Sequence, residues 1–149
     1  MRKEKWVWMG HAGHFICGAE CQFRLNTYVG KYIVSTVGEL WNDREVRKIL
    51  AKSRNPKWFN ENQMLKGDAF DAAYRKKWGF EDIGCDRKYE TAVFKAKKSN
   101  HKCCPYEAIS WEEIDFCGYN TAEEAYAGHL RMCNKWSKKI ERRKHGNKT

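Results

Sequence analysis

The chain has 149 residues, 42% apolar and 14% aromatic, and a formal net charge of +10. That size and aromatic content exclude a disordered chain and fit one domain around one core. No apolar run approaches the ~18 residues of a membrane span, and the charge favours an acidic partner, nucleic acid or an acidic protein surface.

In chain order, Lys5 to Met9 reads as a short strand rich in Trp and Val. Gly10 to Cys21 carries glycines at 10, 13 and 18 and reads as a loop or knuckle. Gln22 to Tyr28 and Lys31 to Val37 are β-prone runs joined at Val29-Gly30, which predicts a hairpin. Alternation sends Tyr32, Val34 and Thr36 to one face and Ile33, Ser35 and Val37 to the other. Asn42 or Asp43 caps a helix to about Ser53, with Val46, Ile49 and Leu50 as its apolar stripe. Pro56 ends that region, and an Asn-bearing loop follows. Gly67-Asp68 starts a helix through Lys77 that buries Phe70, Ala73 and Tyr74 and stops at Gly79. Lys88 to Ala96 reads as a central strand, Lys97 to Pro105 as a basic loop, and Trp111 to Phe116 as a further strand.

Thr121-Ala-Glu-Glu124 is a capping box. The helix it opens runs to about Arg143, with Ala125, His129, Cys133, Trp136 and Ile140 on one face. The expected fold is α+β: a single domain over residues 1–143 with a small antiparallel sheet, helices packed on one face, a long basic C-terminal helix and a polar basic tail at 144–149.

Four potential metal ligands crowd the N-terminal region as His11-x-x-His14-x-x-Cys17-x-x-x-Cys21, and His129-x-x-x-Cys133 lies near the other end. Zinc takes imidazole and thiolate in tetrahedral sets. On a helix His129 and Cys133 lie one turn apart, so Cys17, Cys21, His129 and Cys133 form one expected structural zinc site. Alternate sets draw on His11 and His14, or on Cys104 (or its neighbour Cys103) and Cys117. The competing reading makes Cys17, Cys117 and Cys133 small buried hydrophobes and His129 a hydrogen-bonded core residue. A catalytic zinc would need a base, and Glu20 is the candidate.

Other chemistry is thinly marked. Neither the P-loop nor the dinucleotide-binding glycine pattern occurs. Cys85 or Cys17 with His14 is one of many possible Cys/His pairs, and no flanking residue selects it. Asp68, Asp71, Asp82, Asp86 and Glu90, helped by Lys88 or Lys95, would suit a magnesium-dependent nuclease. Ser35, Thr36, Glu90 and Thr91 would line a small cleft, or form cross-strand pairs on a wet face, which is the preferred reading. Seven cysteines without a signal peptide point to a reduced cytosolic protein.

Basic residues concentrate at the C-terminus. Between Arg131 and Thr149, eight Lys and Arg stand against Glu141 alone, a local charge of +7. Arg131, Lys135, Lys138, Lys139, Arg142 and Arg143 on the last helix, with Lys97, Lys98 and Lys102 in the basic loop, are the expected phosphate contacts. Trp41, Trp58 or Trp78 would stack bases if exposed.

Three stretches, Tyr32-Ile-Val-Ser-Thr-Val37, Tyr89-Glu-Thr-Ala-Val-Phe94 and Tyr119-Asn-Thr-Ala-Glu-Glu-Ala125 with Gly128-His129, resemble a pattern in small uncharacterised proteins of tailed bacteriophages and prophages. Those proteins share a Val-Ser-Thr strand, a Phe-Glu-Thr-Met-Val-Phe strand and a Glu-Glu-Ala-x-x-Gly-His helix start, in this order. The basic Cys-Cys loop and the His/Cys clusters depart from that pattern. The resemblance implies phage origin and the bacterial host's cytoplasm, without secretion, and brings no settled activity.

The expectation is a basic, non-enzymatic binding protein acting on nucleic acid or a nucleoprotein complex. The alternatives are an anti-CRISPR-like inhibitor docked on an acidic host protein and a metal-dependent nucleic-acid enzyme. Membrane partners are not expected, and the oligomeric state stays open.

Overall fold

The computed structural model describes residues 6–9, 21–84, 86–100 and 104–146, with side chains in the last helix as far as 139. Its strands are β1 (Trp6–Met9), β2 (Cys21–Val29), β3 (Tyr32–Leu40), β4 (Tyr89–Lys98), β5 (Tyr106–Ala108) and β6 (Asp115–Tyr119). Its helices are α1 (Arg44–Arg54), α2 (Pro56–Asn62), α3 (Asp68–Trp78) and α4 (Ala122–Gly146). The strands form one antiparallel sheet in the order β1-β2-β3-β4. The long β4 gives its first half to β6 and its last residues to β5, so both share its outer edge. The expected α+β class holds.

The β2–β3 hairpin turns at Gly30, whose φ of 63° is the left-handed conformation a tight turn needs. β3 lies in the middle of the sheet, and Tyr32 to Gly38 are buried without a break. Its alternation is as expected, but neither face is wet. Ser35 and Thr36 are fully buried, and so is Thr91, which pairs with Thr36 across the strands. The wet-face and cleft readings of these residues are both overturned, because a central strand covered on both sides has no solvent face.

One face of the sheet carries α4. Met132, Cys133 and Trp136 pack against Val29, Tyr32, Val34 and Val93. Side chains of this kind contribute about 1.5–3 kcal/mol each when removed from water. Asp115 on β6 fastens the helix: it accepts from the Trp136 indole at 3.1 Å and the Lys135 ammonium at 2.7 Å. The Thr121 hydroxyl caps α4 by accepting from the Glu124 amide at 3.1 Å, and the Glu124 carboxylate accepts from the Asn120 amide at 3.4 Å.

Between β3 and β4 the chain makes α1, α2 and α3 around a separate aromatic cluster. Ala51, Phe70 and Tyr74 form its centre, ringed by Trp41, Trp58, Phe59, Leu65 and Trp78. The expected base-stacking tryptophans 41, 58 and 78 are thus half-buried packing residues. Two local expectations fail here. α1 ends before Pro56 as expected, but the stretch after it is α2 rather than a loop: Pro56 sits at its first turn, where a missing N–H costs nothing, and Asn55 caps it by accepting from the Trp58 amide. In α1 the stripe of Val46, Ile49 and Leu50 does not face inward: Ile49 is 68% exposed, while Arg47 and Ala51 are buried. The cause is Arg47, whose partners lie on the inner side. Two further strands shift: β5 follows the basic loop where none was expected, and β6 begins at Asp115 rather than Trp111.

Gly128 sets how closely α4 approaches the sheet. A Cβ there would lie 2.1 Å from the phenol of Tyr119, itself a core residue. Alanine normally gains about 1 kcal/mol over glycine within a helix. Gly128→Ala should instead lose about 1–3 kcal/mol by overpacking, read as a lower urea midpoint. An unchanged or raised midpoint would show that α4 does not press on Tyr119.

Candidate functional site

His129 projects from α4 into the sheet and is completely buried. Its Nε2 lies 2.7 Å from the Thr27 hydroxyl and its Nδ1 lies 2.7 Å from the Thr36 hydroxyl. Thr36 in turn lies 2.6 Å from Thr91. Trp8 stacks on the imidazole with ring centroids 5.7 Å apart. Three separate stretches meet here, β3 supplying Thr36, β4 Thr91 and α4 His129.

Burial pushes the His129 pKa down to about 4, so the ring is neutral at pH 7, with one N–H and one lone pair. Hydroxyls rotate to serve either tautomer, and the network is satisfied in both. All three threonines are fully buried, so no substrate reaches them. The arrangement holds the helix to the sheet.

This geometry bears on the expected zinc ligands. His129 has a hydroxyl at each nitrogen, and a metal would have to displace one. Cys133 is buried in the α4 core, which pushes its thiol up to about 12 and keeps it protonated. Cys21 is buried beside Val37, Leu40 and Ile83 and is disulfide-bonded, so it offers a thiolate only after reduction. Cys104 and Cys117 are half-buried and in no disulfide. His11, His14 and Cys17 lie outside the described residues, as do Cys85, Cys103 and Lys102. Among the described residues no group of three His, Cys, Asp or Glu side chains is arranged to hold a metal. No helix among the described residues is long and apolar enough to cross a membrane.

A different assembly lies in the helical insertion. Asp71 accepts from Arg44 at 2.8 Å and from the buried Arg47 at 2.7 Å. The Arg44 hydrogen bond, then that of Arg47, holds its carboxyl well below the usual carboxylate range against the opposing pull of burial. Arg47 also donates to the Asn42 carbonyl at 2.9 Å and lies over the Trp41 ring at 4.1 Å. Arg75 covers the same indole at 4.8 Å and Phe80 at 5.3 Å. An open cleft of about 540 Å³ is lined by Trp41, Asp68, Asp71, Ala72, Arg75 and Lys76. Nearby, Glu81 takes both nitrogens of Arg54 and the Tyr74 hydroxyl. Burial pushes Glu81 up, but those hydrogen bonds outweigh it and leave it a carboxylate.

The expected basic contacts divide. Arg131, Lys135, Lys138 and Lys139 are exposed on the outer side of α4. Lys135 is tied to Asp115, and Lys139 lies over the Trp136 ring at 4.2 Å. Lys97 and Lys98 are exposed at the end of β4, with Lys97 3.6 Å from Glu107. Arg142 and Arg143 continue α4, but their side chains lie outside the described part. Sequence reasoning missed the Arg47–Trp41–Arg75 stack, whose two arginines lie on different helices and carry no common spacing.

No protein-family model, curated protein or solved structure matches this chain.

Two measurements test the buried network. Thr36→Val removes the hydroxyl shared by His129 and Thr91, and should cost about 1–3 kcal/mol, read as a lower urea midpoint. An unchanged midpoint would show that this shared hydroxyl does not hold the network.

The pH dependence has a definite sign. The unfolded chain takes up a proton at His129 near pH 6.5, the folded chain only near pH 4. Stability is therefore full above that window and falls as pH drops through it, by about 3 kcal/mol in all. Urea midpoints at pH 7, 5 and 4 should trace that fall, and a flat series would sink the assignment.

Proposed function

We propose that this chain is a non-enzymatic binding protein whose partner is nucleic acid, held mainly through its phosphates. The observation that supports this reading is the two-sided character of α4. Its inner side is committed to the sheet through Ala125, His129, Met132, Cys133 and Trp136. Its outer side exposes Arg131, Lys135, Lys138 and Lys139. Arg131 and Lys138 lie two turns apart, about 10 Å along the axis, with Lys135 between them. A rigid row of cations on a folded surface releases counterions from a polyanion without first paying the entropy of ordering a tail. Glu123 and Glu124 occupy the first turn of α4, where the helix dipole favours them. Phage origin belongs to the same proposal and rests on the short motifs alone.

One observation favours docking on a host protein as a second reading. Trp111 and Phe116 are 55% and 67% exposed, Phe116 opposite Ala92 and Trp111 against Phe94 on β4, and Ile109 nearby is 57% exposed; apolar residues left in solvent are what a protein partner would cover.

Salt dependence separates the two. Binding to duplex DNA should weaken steeply between about 50 and 200 mM salt. The triple variant Arg131→Gln/Lys138→Gln/Lys139→Gln should lower the log–log salt slope by about three, measured by fluorescence anisotropy. Absence of DNA and RNA binding by the wild type at low salt would overturn the proposal and leave the protein-docking reading.

A further inference from the structure

The Trp41 cleft lies in the helical insertion, apart from α4, and its chemistry is its own. Its wall is a stack in which Trp41 contacts Arg47 at 4.1 Å and Arg75 at 4.8 Å, and Phe80 lies 5.3 Å from Arg75. The two arginines differ. Arg47 is buried and spends its donors on Asp71 and the Asn42 carbonyl. Arg75 is exposed, and among the described residues its guanidinium meets no carboxylate or carbonyl. It contacts aromatic rings and leaves five N–H donors open to the cleft and solvent. Lys76, next in the chain, lines the same cleft and likewise has no acidic partner among the described residues.

A guanidinium placed against two rings has lost much of its rotamer freedom before any ligand arrives. Its planar fork matches the oxygens of a phosphate, and less order remains to be imposed on binding. Charge points the same way. Asp68 and Asp71 line the cleft, but Asp71 is already bonded to Arg44 and Arg47. With that charge met, Arg75 and Lys76 face the single carboxylate of Asp68 among the lining side chains. The volume of about 540 Å³ exceeds what a bare phosphate fills and lies in the ordinary range for small-molecule sites. The indole edge and Ala72 supply apolar wall for the remainder of a larger ligand.

We propose that the Trp41–Arg75–Lys76 cleft recognises the phosphate of a nucleotide. The source is either a unit within single-stranded nucleic acid or a free mononucleotide. The cleft does not depend on the role given to α4, and the test keeps the two apart.

Two probes are titrated into the full chain at about 0.1 M salt, where surface charges beyond about 10 Å are screened. One is a labelled single-stranded oligothymidylate, followed by anisotropy. The other is thymidine 5′-monophosphate, followed by calorimetry. Arg75→Gln should weaken binding about tenfold, which corresponds to about 1.4 kcal/mol. Arg75→Lys keeps the cation at the end of α3 and so guards against a folding defect; it should weaken binding about threefold. Lys77→Gln removes the same charge from α3 outside the cleft, and binding should stay within about twofold of wild type.

A loss confined to the oligonucleotide identifies the backbone phosphate as the source, and a loss confined to the mononucleotide identifies a free ligand. Equal effects of Arg75→Gln and Lys77→Gln would overturn the proposal, since only general charge would then matter. It also falls if neither probe binds the wild type. If the oligonucleotide binds, ignores Arg75→Gln and is lost on the α4 triple variant, the cleft proposal fails while the nucleic-acid reading of α4 stands.

Discussion

The contact between one imidazole and the threonine hydroxyls of the sheet constrains everything else in this fold. His129 enters from the helix and meets Thr27 on β2 and Thr36 on β3, and Thr36 reaches Thr91 on β4. Three strands and one helix are thereby fixed in a single register. A slip of one residue in any strand would turn its threonine to the opposite face and leave a buried polar group without its partner. Apolar packing between Trp136, Met132 and the sheet supplies much of the burial energy, but such packing tolerates repacking. The polar network does not, and it selects one arrangement among those the apolar surfaces would allow.

Gly128 and Tyr119 make that contact possible. The helix must lie close enough for an imidazole to reach two hydroxyls, and the missing Cβ provides the room. Gly128 and His129, adjacent on α4, therefore serve one architectural requirement together. Among the described residues, the outer side of α4, the cleft in the helical insertion and the exposed apolar residues near the outer edge of β4 all lie outside that network.

Much of this architecture could be read from local pattern. The hairpin around Gly30, the capping box at Thr121 and the inward face of α4 each depend on residues within a few positions of one another. Phe70 and Tyr74 likewise announced the buried side of α3, though Ala73 between them is only half-buried. The failures share a cause, which is partnership across distance. Val46 and Ile49 looked like a core stripe until Arg47 found Asp71, 24 residues away, and Trp41. Ser35 and Thr36 looked like surface because their buried partners lie on other strands and on α4. The stretch after Pro56 looked like a loop because a proline that ends one helix and a proline that begins the next look alike in sequence. For the candidate site, the exposed cations of α4 were legible from spacing, whereas the arginine–tryptophan stack was not, since it is assembled from two helices and the residues between elements.

Trp8 has one further property. Its indole is half-exposed at the sheet's edge strand, yet one face rests on an imidazole that water does not touch. Indole emission is sensitive to the charge state of an adjacent imidazole and to the polarity of the surrounding solvent. Trp8 is therefore an optical window placed across the boundary between interior and exterior. Light emitted at the surface carries information about the protonation of the protein's centre.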